Sequence, residues 1–234
     1  MKILALDSST SLASIAVSVD ERIVAESVFS CDRTLSARLV PEIERLVTSS
    51  GLTLGDIDLF AASVGPGSFT GIRGGVATIQ GLALATGKPC AGFSSLKLLA
   101  MNFSLASLPI CPLLDARKSE VYTALYDCSA AIPTPLIADC VLPPDAFLTH
   151  LSAATHQAVI FAGDGALRYR ELITGIMAER AIFAPFPLHT SHAANGTLLA
   201  LSTYQRGEQL EPSRLVPLYL RESDAVMMKN KVVA

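Results

Sequence analysis

The residues best placed to do chemistry are two aspartates and two glycine turns. Asp7 ends the apolar run Ile3-Leu4-Ala5-Leu6 and leads into Ser8-Ser9-Thr10, and Asp115 ends a second run, Ile110 to Leu114. Gly65-Pro66-Gly67-Ser68 and Gly163-Asp164-Gly165 each follow an apolar strand and precede a helix, the setting in which backbone amides can cradle an anion. Asp7 and Asp115 facing each other across a cleft, with Ser8 and amides of Gly163, Asp164 and Gly165 near phosphate groups, would suit a nucleotide with magnesium. The same aspartates could instead bond only the amides of their own turns, as Asp commonly does. Both readings stay open at this level.

Other catalytic sets are thin. The four histidines, 150, 156, 189 and 192, all fall in the second half, and His189 and His192 are a pair without a third ligand, read as a surface feature leading into a helix cap. There is no Gly-x-Ser-x-Gly elbow and no Gly-Lys-Ser/Thr phosphate loop. Five irregularly spaced cysteines without a C-x-x-C pair read as small buried hydrophobes rather than a disulfide framework or zinc site.

The elements that must carry these residues repeat. Each half reads as a strand ending in Asp, two further strands, a helix, a strand ending in a Gly-x-Gly turn, and a helix. The boundary is expected near residues 105–109, giving units 1–106 and 107–234, with a helix over about 191–206 and the tail Pro217-Leu218-Tyr219-Leu220-Arg221 packing back on the first unit. In the first unit the helix after Gly65-Pro66-Gly67 is unusual. From Thr70 to Thr86 its only charge is Arg73, while Gly71, Gly74, Thr78, Gly81 and Ala85 form a row of small residues. Interior glycine costs about 0.5–1 kcal/mol against alanine, so the row implies close approach of another helix, in this chain or a second one.

Composition sets limits. The 234 residues are 50% hydrophobic and 17% charged with a net charge of −3, which gives no footprint for independent nucleic-acid binding. Mean hydropathy is +0.45, high enough to imply interface, yet no apolar run approaches the ~18 residues that span a bilayer. Met1 to Asp7 enters a strand with no long apolar segment, from which a cytoplasmic chain with no membrane role is expected.

Taken together, the Ile3-to-Thr10 run, Gly65-Pro66-Gly67-Ser68-Phe69-Thr70-Gly71-Ile72-Arg73-Gly74-Gly75, Asp115-Ala116-Arg117-Lys118-Ser119-Glu120-Val121-Tyr122, Gly163-Asp164-Gly165 and Pro217 to Arg221 resemble the bacterial TsaB (YeaZ) family over nearly the full length. The resemblance implies an α/β chain of two ribonuclease-H-like lobes, as in the actin-like ATPase superfamily of sugar kinases, heat-shock chaperones and actin. It also implies a role in making N6-threonylcarbamoyladenosine at position 37 of tRNAs that read ANN codons. Family members act there as a non-catalytic partner of the paralogue TsaD, with the ATPase TsaE joining them, and TsaC supplying threonylcarbamoyl-adenylate. By that resemblance the chain pairs with TsaD, or with itself when alone, through the helices bearing Ser36, Leu39, Ile43, Gly71, Arg73, Gly74, Thr78, Gly81 and Ala85. It meets tRNA through the complex, and ATP with magnesium belongs to the assembly rather than to a certain site of its own. The chain departs from the family where the usual His-Ser is Leu35-Ser36, and it lacks the histidine pair with which TsaD binds its metal. A phosphotransferase of the sugar-kinase type using Asp7 and Asp115 is the alternative.

Overall fold

The computed structural model describes residues 1–30 and 35–221. Two five-stranded sheets are built by the same path. In the first, β1 (Lys2–Asp7), β2 (Leu12–Val19) and β3 (Arg22–Ser30) form an antiparallel meander, and β4 (Leu59–Gly65) and β5 (Cys90–Ser94) add in parallel on the other side of β1. In the second, β6 (Ile110–Asp115), β7 (Val121–Asp127) and β8 (Thr134–Leu142) repeat the meander, and β9 (Val159–Ala162) and β10 (Ala181–Phe183) repeat the parallel pair beside β6. Two sheets with one strand order are what a duplicated unit produces. Asp7 and Asp115 end the central strands of their sheets.

Helix α1 (Leu35–Ser49), with Pro41 inside it, and α2 (Phe69–Thr86) cover one face of the first sheet. Leu39, Ile43, Ile72, Val76, Ile79 and Ala83 interdigitate there with Leu4, Leu6 and Phe60. Each fully buried aliphatic side chain of that set contributes about 1.5–3 kcal/mol. On the opposite face lies α7 (Ala193–Gln205), where Leu199 and Ala200 meet Ile3, Ala5 and Phe93. Gly196 of this helix sits so close to Phe93 that an added Cβ would stand 2.8 Å from its ring.

In the second sheet one face receives α4 (Pro144–Ala154), α5 (Asp164–Arg168) and α6 (Arg170–Met177), through Phe147, Leu151, Ile173 and Met177. The other face is roofed by α3 (Ser95–Ala100), which directly follows β5, so Leu96, Leu99 and Ala100 pack on Ile110, Leu114 and Ala162 and join the two halves. Helix α3 ends at Ala100 and tightens into a 3-10 turn, Met101–Phe103. The helix expected to run from Gly163 to about Gly175 is broken at Tyr169 into α5 and α6. Burial pushes the thiols of Cys111 and Cys128 up to about 12, which keeps them as inert small hydrophobes.

After α7 the chain returns over the first sheet. Cys90 and Leu210 exchange backbone hydrogen bonds, Leu215 is fully buried, and the Leu218 amide donates to the Val64 carbonyl at 2.7 Å. Arg221 then reaches the β6–β7 turn and pairs with Glu120 at 2.7 Å. Residues 216–221 thus form a strap from the start of α2 to the second sheet.

Candidate partner-binding face and the occupied cleft turns

The glycine turn after β4 folds against the turn after β1. Gly65 has φ of +120° and the Gly65–Pro66 peptide is cis. The Ser68 amide donates to the Ser9 carbonyl at 2.7 Å, and the Ser68 hydroxyl caps α2 by accepting from the Gly71 amide at 3.3 Å. Gly67, Gly71 and Gly75, spaced by four, press their backbones onto residues 8 and 9. A Cβ at Gly67 would lie 2.3 Å from the Ser9 carbonyl oxygen, one at Gly71 2.1 Å from that of Ser8, and one at Gly75 2.3 Å from the Ser8 hydroxyl. Ser8 in turn donates its hydroxyl to the Gly71 carbonyl at 2.9 Å. The two loops that could have held an anion are locked to each other.

Asp7 is buried beneath them, accepting from the Ser63 hydroxyl and, at 3.1 Å, from the Ser9 amide. Burial raises its carboxyl above the usual carboxylate range, partly offset by those donors. Asp115 is held differently. Its carboxylate takes the Arg168 guanidinium at 2.6 Å, the Arg117 guanidinium at 3.3 Å and the Arg117 amide at 3.0 Å. The amides of the second glycine turn are engaged too. Gly163 donates to Nδ1 of His189 at 3.0 Å, and Gly165 to the Asp164 carboxylate at 2.8 Å, which also accepts from the Asp115 amide at 3.0 Å. As arranged, these residues do not fit a magnesium-bound nucleotide, because both carboxylates and the Gly163 and Gly165 amides already have partners within the chain. No three His, Cys, Asp or Glu among the described residues converge as metal ligands.

His189 is a structural pin. His189 accepts the Gly163 amide at Nδ1, so its proton sits on Nε2 and is donated to the Ala184 carbonyl at 2.9 Å. It is a half-buried wedge rather than the expected surface feature, tying β9 to the chain after β10. His192, at the N-cap of α7, lies 3.4 Å from Glu26, whose other oxygen accepts the Ala194 amide at 3.1 Å.

The residues expected to meet a partner separate into two groups. Leu39 and Ile43 are buried in the core and Gly71 is fixed against Ser8, so these three face inward; the amphipathic stripe of α1 is its core side. Gly74 is half-buried beside Leu35, Thr78 bonds the Gly74 carbonyl, and Gly81 and Ala85 are exposed. The Ser36 side chain lies outside the described residues. Outward, α2 presents Arg73, Ala77, Gly81, Leu84 and Ala85, with Leu84 65% and Val40 of α1 49% exposed. Arg73 donates from Nε to the Tyr219 hydroxyl at 2.8 Å and stacks over the Phe69 ring at 4.1 Å, with Phe69 and Tyr219 themselves 5.2 Å apart. Spacing did not reveal Tyr219 as part of this face, since it is 146 residues from Arg73, whereas Phe69 lies one helical turn before Arg73 and was open to that reading.

The chain is similar over most of its length to proteins of one family. The family described as "TsaD: tRNA N6-adenosine threonylcarbamoyltransferase" matches residues 22–229. The "tRNA threonylcarbamoyladenosine biosynthesis protein TsaB" of Bacillus subtilis is 27% identical over 225 residues, covering 96% of each chain. A solved Pseudomonas aeruginosa protein described as uncharacterized with similarity to peptidase YEAZ is 30% identical, with a TM-score of 0.80 over 94% of this chain and 99% of its own. The chain belongs to the TsaB (YeaZ) family. Component A of (R)-2-hydroxyglutaryl-CoA dehydratase from Acidaminococcus fermentans, 12% identical with a TM-score of 0.52 over 88% of this chain and 99% of its own, shares the fold alone. The two-lobed actin-like ATPase architecture is therefore the fold of this TsaB-family chain. Among its described residues no helix is long and apolar enough to cross a membrane.

Proposed function

We propose that this TsaB-family chain is a non-catalytic partner subunit of the cytoplasmic machinery that places threonylcarbamoyl on N6 of adenosine 37 in tRNAs reading ANN codons. It docks on the catalytic paralogue TsaD, pairs with a second copy of itself when alone, and meets TsaE and tRNA only within the assembly. ATP and magnesium act in that assembly. Its two units, 1–106 and 107–234, serve as a scaffold, with α7 and the tail bracing the first.

One observation carries the reading: α2, the longest helix of the described chain, turns a small, apolar, nearly uncharged face outward. Small residues let a facing helix approach closely, and an exposed contiguous apolar face on a folded protein marks an interaction surface. The sugar-kinase alternative is not favoured, because Asp7 is buried and Asp115 is clamped by two arginines.

Size-exclusion of this protein mixed with TsaD from the same organism tests the reading. Co-elution of the two, lost in Gly81→Leu, is the expected result. Separate elution in every nucleotide condition overturns it.

A further inference from the structure

Beside the outward face of α2 runs a groove of about 410 Å³. Arg73, Ala77 and Gln80 form one wall, Val216, Pro217 and Tyr219 of the strap form the other, and Val76 lies between them. Both walls are fixed. The Gln80 amide donates to the Pro212 carbonyl at 3.0 Å, Leu218 is bonded to Val64, and Gly65 lets the strap approach so closely that a Cβ there would sit 2.7 Å from the Leu218 oxygen. The groove is formed before anything enters it, which lowers the entropy cost of binding.

Its single charge is held in one orientation. The Arg73 guanidinium lies over Phe69, and its Nε is occupied by the Tyr219 hydroxyl. Among the described residues no carboxylate pairs with it, so its two terminal nitrogens form an unused fork, the geometry that grips a carboxylate with two parallel hydrogen bonds. The remaining lining is mainly apolar. A nucleic-acid backbone would need several cations along its track, and one lines this groove. A second copy meeting α2 on α2 about a two-fold would bring the same elements together, and neither α2 nor residues 216–221 carries an acid; of the acids on the neighbouring α1, Glu42 is already held by Arg45 and Ser27, which leaves Glu44 as the one acid a second copy could offer.

We propose that this groove is a recognition site for an acidic side chain flanked by an aliphatic one on a different protein chain, with Arg73 reading the carboxylate. The proposal rests on the partner-subunit reading and adds the chemistry of the contact and the role of the tail as its second wall.

The test measures affinity for purified TsaD of the same organism by titration calorimetry, at low and high salt. Arg73→Gln is expected to weaken binding roughly tenfold and to flatten its salt dependence. Ala77→Trp, which fills the groove from an exposed position and leaves the charge in place, is expected to weaken binding by a similar factor, with both variants melting within about 2 °C of the parent. If the parent binds TsaD and both variants match it within about twofold, the groove proposal fails while the partner reading stands. If the parent itself does not bind, both fail. Loss of self-association alone, with TsaD binding intact, would make a second copy the occupant and overturn the proposal. Should Arg73→Gln melt early, Ala77→Trp decides.

Discussion

The two glycine turns occupy equivalent places in two sheets of one topology, yet they launch different helices. After β4 the turn opens into 18 residues of α2, whose inner glycines lock onto the β1 turn and whose outer face is left bare. After β9 the turn opens into the five residues of α5, and its amides close on His189 and Asp164. Both halves have turned potential anion-cradling groups inward. The first keeps a helix of 18 residues with an uncovered face where the second has one of five, so one duplicated frame carries the proposed site on its first copy.

The contrast breaks most readily at the inward glycines. Gly71→Leu should destabilise the fold by more than about 3 kcal/mol, since its Cβ would stand 2.1 Å from the Ser8 carbonyl oxygen. Gly163→Ala should be comparably harmful in the other half, with its Cβ 2.1 Å from the Leu113 oxygen at φ of +103°. Urea denaturation measures both. Gly81→Leu should do the opposite, because nothing lies within 4 Å of its Cβ and leucine favours helix by up to about 1 kcal/mol over glycine. Its fold should hold or gain slightly while TsaD binding is lost; a folded variant that still binds would remove Gly81 from the face.

The two strand-end aspartates should respond with opposite signs. Burial raises the folded-state carboxyl of Asp7 above its unfolded value of 3.8, so its contribution is most favourable below that pH and is lost as pH rises through the folded value. Asp7→Asn keeps an acceptor for Ser63 and Ser9 without the buried charge. Its stability relative to the parent should therefore improve between pH 4 and pH 7. Asp115→Asn, which removes the partner of Arg168 and Arg117, should instead cost about 1 kcal/mol at pH 7. The smallest effect is expected at the strap, where Glu120→Ala removes a partly exposed ion pair with Arg221 and should lower stability by less than about 1 kcal/mol, read by thermal melting.

Much of the frame was legible because its signals are local. Apolar runs ending in Asp, turn glycines and a charge-poor helix need no distant partner to be read, and the repeated order of elements followed from them. The site was only half legible. Gly71 and Gly81 look alike in sequence, but a helix turns 100° per residue, and only the neighbouring β1 turn reveals that Gly71 faces it while Gly81 faces out. Leu39 and Ile43 read equally as a core stripe or a docking stripe, and their burial against Leu4 and Phe60 decides for the core. His189 with Gly163, and Arg73 with Tyr219, meet only because the chain returns across the fold.

If the outer face of α2 carries the proposed function, the aspartate turns can change without loss of it. The most direct measurement is threonine incorporation into tRNA by reconstituted TsaD, TsaE and TsaC with this chain as parent, Gly81→Leu or Asp7→Asn. Modification is expected with the parent and Asp7→Asn, and its loss with Gly81→Leu. Full modification with Gly81→Leu and none with a folded Asp7→Asn would contradict it.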